Sequence, residues 1–248
     1  MNESNNNKNN NRSALTDRIF AFENTMDRTR ALLGWVYLPI HIFVLPLALS
    51  AMASFSSVGL SEADANLIYY VIGLIFVAGV MLPFLRSGFD ALLDRPGRCL
   101  FSMVVGVALT YLLSSVAALA LLLLEEAGQN PNTAEVLELA QAETGKVRAV
   151  AIFLAPVVEE VLFRGVVFGS LRQRSRALAY VLGALIFALY HVWQPALVYR
   201  DPRLLLYALQ YLPVTVALLR VYERSGSIWP CIFFHMGFNA LSLNLLGM

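Results

Sequence analysis

A polytopic bundle of membrane-spanning α-helices is the fold class this sequence predicts, and three observations carry the prediction. Of the 248 residues, 58% are hydrophobic. Only 14% are charged, where a soluble domain carries roughly 25%. The apolar residues also come in blocks of about twenty, the length needed to cross roughly 30 Å of hydrocarbon at 1.5 Å per residue.

The elements follow in order. Residues 1–12, MNESNNNKNNNR, hold seven asparagines and no core to bury, so this segment reads as a disordered tail. Leu15, Ile19, Phe22 and Met26 then recur at helical spacing with charges between them. That pattern suits an amphipathic helix lying on the membrane surface, or equally a solvated linker. Residues 1–30 thus form a leading region, and 31–248 the membrane domain. Seven apolar spans run over about 31–55, 66–85, 100–124, 149–171, 177–193, 204–222 and 227–247. The fifth is short and Pro213 interrupts the sixth, so the expected count is seven or eight transmembrane helices.

Positive charge sets the orientation. With the N-terminus in the cytoplasm, thirteen Lys and Arg fall on inside segments and four outside, which favours N-in and C-out; the plasma membrane is the expected location. The longest connection, between the third and fourth spans, carries Glu125, Glu126, Glu135, Glu138 and Glu143. Asn132 with Glu135 resembles a capping box for a short surface helix there. The net charge of +1 says nothing about a nucleic-acid partner, and with no basic stripe none is expected. Cys99 and Cys231 lie too far apart in sequence to suggest a metal knuckle or a disulfide framework.

The unusual stretch is VVEEVLFRG, residues 157–165. A charge at the bilayer centre costs roughly 2.5–3.5 kcal/mol on insertion scales. Glu160 and Arg164 are four residues apart with the acid first, so they share a helix face and can pair. Glu159 is turned about 100° away and can look into a cavity instead. A purely structural ion cluster is the bland alternative. His191 ends the fifth span, and His235 and Asn239 share one face of the seventh. From the inside edge these groups come out at about 12–21 Å depth, so they can meet in one site. His41, between Pro39 and Pro46, has no partner in its own helix and reads as structural.

Three motifs stand in order on separate spans: Glu-Glu-x-x-x-Arg at 159–164, Phe-x-x-x-His at 187–191 and His-x-x-x-Asn at 235–239. Together they resemble the CPBP family of intramembrane proteases, which includes the type II CAAX prenyl endopeptidases and Abi-type bacterial proteins. The resemblance covers 159–239, and the zincin signature His-Glu-x-x-His is absent. It implies peptide-bond hydrolysis in a membrane-associated or C-terminal substrate, prenylated CAAX-type chains included. A carboxylate out of water is a better base near neutral pH. Glu159 is therefore the expected base, with His191 orienting its water. His235 and Asn239 would form an oxyanion hole, and Glu160 and Arg164 would hold the helix. Glu159, His191 and His235 also read as a two-His, one-carboxylate zinc set, so zinc or no cofactor both stand.

Two other classes compete. Intramembrane Glu, His and Arg also mark proton- or ion-coupled transporters, although no internal repeat is present. A catalytically silent scaffold or immunity protein would keep the same cluster for structure alone.

Overall fold

The computed structural model describes residues 22, 24–55, 59–124 and 130–247. The expected tail and nearly all of the expected surface helix lie outside the described residues. Among the described residues the fold is entirely helical. The elements are α1 (Arg28–Pro39), a π turn (Ile40–Val44), α2 (Leu45–Phe55), α3 (Glu62–Val80), α4 (Leu82–Asp94), α5 (Pro96–Leu123) and α6 (Pro131–Ala149). A second π turn (Val150–Leu154) leads into α7 (Ala155–Glu159), a π-helical stretch (Glu160–Phe168) and α8 (Gly169–Arg172). The chain ends with α9 (Arg176–Tyr190), α10 (Trp193–Val198), a 3-10 turn (Pro202–Tyr207), α11 (Ala208–Ser225) and α12 (Trp229–Leu245).

Local chemistry explains the boundaries. Asp27 caps α1 by accepting from the Arg30 backbone N–H, and Ser61 caps α3 by accepting from that of Asp64. Each π turn runs just ahead of a proline, Pro46 or Pro156, which cannot donate to the carbonyl four residues back. The α6 cap is Asn130, whose side chain accepts from the Asn132 N–H, with Pro131 in the first turn. This corrects the expected Asn132–Glu135 box: the helix starts one residue before Asn132, so Asn132 is already inside it. Gly226 ends α11 in the left-handed region at φ 71°, which favours glycine.

Four stretches are long and apolar enough to cross a membrane: Arg28–Ala53, Glu62–Val80, Pro96–Leu123 and Pro202–Ser225. They coincide with the first, second, third and sixth expected spans. The other three expected spans are helical too, but each departs from a simple spanning helix. The fourth carries Glu159, Glu160 and Arg164, α9 has 15 residues and α12 has 17. Length and composition therefore mark four spans among the described residues, where the sequence suggested seven or eight. The chain is an integral membrane protein.

The charged segment sits at the centre. Every residue from Val158 to Gly169 is buried, enclosed by α1, α3, α4, α9, α11 and α12. The outward faces of α1, α3, α5 and α9 expose Leu32, Val36, Ile75, Phe101, Leu112 and Leu185, as lipid-facing helices do. Close approach is bought with small residues. A Cβ on Gly106 of α5 would lie 2.6 Å from Val221 of α11, and one on Gly73 of α3 would lie 2.8 Å from Val158. The absence of a Cβ at Gly73 thus lets α3 lie against the segment bearing Glu159. Ahead of α1, Phe22 and Met26 also pack inward: Phe22 meets Phe168 and Tyr222 edge-on, and Met26 is buried.

Candidate active site

Glu159 closes α7 and Glu160 opens the π-helical stretch, both almost fully buried. The two carboxylates diverge as expected of helix neighbours, and each finds different company. Glu160 pairs with Arg164, Oε1 lying 3.0 Å from Nη1. The same Oε1 lies 2.8 Å from His235 Nδ1. A carboxylate paired with arginine accepts, so this imidazole nitrogen is the donor. The guanidinium of Arg164 also sits 4.0 Å over the Phe187 ring, a cation–π contact.

Glu159 is held from the other side. The Tyr70 hydroxyl of α3 donates to Oε1 at 2.6 Å. Its second oxygen, Oε2, lies 3.9 Å from His235 Nε2. That separation is too long for a direct hydrogen bond, yet one water can contact both atoms. The acid pair, Arg164 and His235 therefore form one connected cluster across α7, the π-helical stretch and α12.

His191 follows α9 and flanks this cluster rather than joining it directly. Its Nδ1 lies 2.9 Å from the Phe187 carbonyl, which can only accept, so Nδ1 carries the proton and Nε2 keeps its lone pair. The ring stacks on Tyr211 with centroids 4.4 Å apart, and Phe187 contacts both this ring, at 4.6 Å, and that of His235, at 6.1 Å. Tyr211 is itself clamped, its hydroxyl accepting from Asn132 at 2.9 Å and Asn130 at 3.3 Å. Asn239 donates through Nδ2 to the Ala151 carbonyl at 2.8 Å. One of its two amide protons thus holds the second π turn.

Four of the six expected site residues, Glu159, Glu160, Arg164 and His235, are brought together, with His191 and Asn239 at the margin. Sequence reasoning missed Tyr70, Tyr190 and Tyr211. The signal was legible in part, since IYYVIG puts two phenol hydroxyls inside an apolar span. His41 is fully buried and stacks on Tyr69 at 4.4 Å, with no hydrogen-bond partner on either ring nitrogen.

The zinc reading meets the geometry here. His235 commits Nδ1 to Glu160 and His191 commits Nδ1 to a carbonyl. Among the described residues no three His, Cys, Asp or Glu side chains gather as a group able to hold a metal ion. Both rings leave Nε2 without a hydrogen bond, and a carboxylate or carbonyl on Nδ1 is the usual second contact of a ligating histidine. Cys99 and Cys231 are both buried free thiols. A half-open apolar cleft between α5 and α12, lined by Val107, Tyr111, Phe233, Gly237 and Leu241 among others, is separate from the cluster. Helical periodicity turns those α12 residues away from His235 and Asn239.

Residues 146–241 match the family model described as type II CAAX prenyl endopeptidase Rce1-like. This is the CPBP group that the three motifs resemble, and the match spans less than half of the chain. No curated protein and no solved structure matches the chain.

Proposed function

We propose that this chain is an intramembrane endopeptidase of the CAAX type, hydrolysing a peptide bond with water activated by Glu159. One observation carries the reading: a buried carboxylate and an imidazole face each other at 3.9 Å, the spacing of a shared water. The family match over 146–241 supports the same activity class.

The chemistry balances with this chain's own groups. Glu159 Oε2 takes a proton from the water, and the hydroxide attacks the peptide carbonyl carbon. His191 Nε2, an acceptor by its tautomer, orients that water. The charge that develops on the carbonyl oxygen meets N–H donors from His235 Nε2 and the remaining Asn239 amide proton. His235 donates at Nε2 only as an imidazolium, because Nδ1–H already serves Glu160. The proton held by Glu159 passes to the amine nitrogen as the C–N bond breaks, leaving a new carboxyl and a new amino terminus. No step runs through a metal ion, so prolonged chelation should leave the rate unchanged.

Prenylated C-terminal peptides are the proposed substrate class, and a cytoplasmic N-terminus in the plasma membrane the proposed setting. The transporter and silent-scaffold readings gain no support from the matched family. The test is a comparison of peptide termini in membranes bearing wild-type or Glu159→Gln protein at equal abundance. Termini produced by the wild type should vanish with the variant. Identical termini in the two membranes would contradict the reading.

A further inference from the structure

We propose that Tyr70 is a positioning residue for Glu159, pinning one carboxylate oxygen so that the other is presented to His235. The inference rests on the protease reading and adds to it a residue from α3, outside the matched segment 146–241. The half-site from α7 onward is then incomplete without the N-terminal half of the chain.

The argument begins with where each proton goes. Glu159 Oε1 is an acceptor, so the Tyr70 hydroxyl donates to it at 2.6 Å. Tyr69 donates to the His41 backbone carbonyl at 3.1 Å, which likewise can only accept. Tyr190 of α9 lies between them, 2.9 Å from the Tyr69 oxygen and 3.3 Å from the Tyr70 oxygen. Its single proton serves one of the two, and both neighbours have already spent theirs. The three phenols therefore make a clamp with fixed ends, not a wire that passes protons onward. Tyr70 is left with one rotor setting, and that setting faces the acid.

Packing removes the remaining freedom. The Tyr70 ring stands edge-on to Tyr69 at 4.8 Å and to His41 at 6.2 Å. One turn on, Gly73 lets α3 come against Val158, the residue before Glu159. The Tyr69 bond to His41 is available because His41 lies in the π turn, where the regular helical ladder is broken. Helix contact, π turn and phenol cluster all act on the same carboxylate. A bystander tyrosine merely satisfied by a nearby acid would not need this arrangement. Glu159 also keeps Oε2 free of any direct hydrogen bond, which a purely structural acid has no reason to do.

The test uses the full chain in lipid nanodiscs and has two arms. In the first, Tyr70 is replaced by 3-fluorotyrosine and its fluorine resonance is followed. Glu159→Gln should move that resonance, and Glu223→Gln should not. A resonance indifferent to Glu159→Gln overturns the proposal. In the second arm, a farnesylated CAAX peptide is the probe. Tyr70→Phe should lower kcat by about 10–100-fold with KM held within about twofold, the pattern of a misplaced reacting group. Tyr37→Phe, which removes a buried hydroxyl that has no hydrogen-bond partner, should change neither. An unchanged kcat for Tyr70→Phe, or an equal loss for Tyr37→Phe, overturns the positioning role. If the wild type leaves the peptide intact, the proposed substrate class fails, and the resonance arm still decides whether Tyr70 holds Glu159.

Discussion

Glu223 on α11 and the Glu159–Glu160 pair are both buried acids beside arginine, yet the protein finishes one and leaves the other open. Glu223 accepts from Arg172 and Arg176 through one oxygen, and from Arg176, Tyr180 and Arg220 through the other, at 2.7–3.2 Å. Both carboxylate oxygens of Glu223 are thus fully engaged within the chain. In the central cluster, Glu160 Oε2 and three Arg164 nitrogens make no hydrogen bond, and Glu159 Oε2 stops 3.9 Å short of His235. Buried polar groups are ordinarily satisfied. A cluster built only to join helices would look like the Glu223 site. The difference supports the proposed reading, in which the central cluster serves a reaction and the Glu223 cluster serves only the packing of helices.

The comparison can be sharpened by removing one cation from each cluster. Arg164→Met leaves Glu160 buried without its guanidinium, and a broken buried pair costs about 3–5 kcal/mol. Thermal unfolding in nanodiscs should show the loss, and adding Glu160→Gln should recover much of it. Full stability of the single variant would break the idea that Glu160 is ionised and depends on Arg164.

Glu223→Gln should act more weakly, because Arg172, Arg176 and Arg220 each retain some exposure. We expect about 1–3 kcal/mol of destabilisation, with the cleavage rate per folded molecule unchanged. A rate loss beyond the folded fraction would erase the contrast between the two sites.

The smallest effect belongs to the exposed contacts between α3 and α6. Lys146 pairs with Asp64 at 2.6 Å and with Glu143, and Ser61 donates to Glu143 at 2.7 Å. Hydrogen bonding from Lys146 draws Glu143 down from 4.5, and bonding to Asp64 draws Lys146 up from 10.5. The Glu143 contribution is therefore complete above its unfolded value and is lost as pH falls through the depressed one. The Lys146 contribution is complete below its unfolded value and is lost as pH rises through the raised one. Melting of wild type against Lys146→Ala should differ by a small, constant amount from about pH 5 to about pH 10 and converge only in stronger acid or base. A gap that persists into acid would contradict the assignment.

Much of this molecule was legible in its sequence, for reasons that differ by element. The spans at 31–55, 66–85, 100–124 and 204–222 declare themselves because lipid demands long apolar runs. Glu160 and Arg164 could be paired from spacing alone, since helical periodicity fixes which faces meet. Contacts between distant helices were not legible in the same way. Asn239 and His235 share a face, but Asn239 is drawn to the Ala151 carbonyl, which the second π turn makes available. No local pattern announces that turn beyond Pro156. Tyr70 was invisible for the same reason: its partner lies 89 residues away, and only the close approach at Gly73 brings α3 to Glu159.

The central claim is that Glu159 does chemistry while Glu223 holds structure. The direct measurement is kcat per folded molecule for Glu159→Gln and Glu223→Gln side by side, with folded fraction taken from melting of the same samples. The account predicts that Glu159→Gln loses about 10²–10⁴-fold in kcat with little change in melting, and that Glu223→Gln melts earlier at an unaltered rate. A Glu159→Gln protein that cleaves at the wild-type rate, or loses rate only as it unfolds, would contradict it.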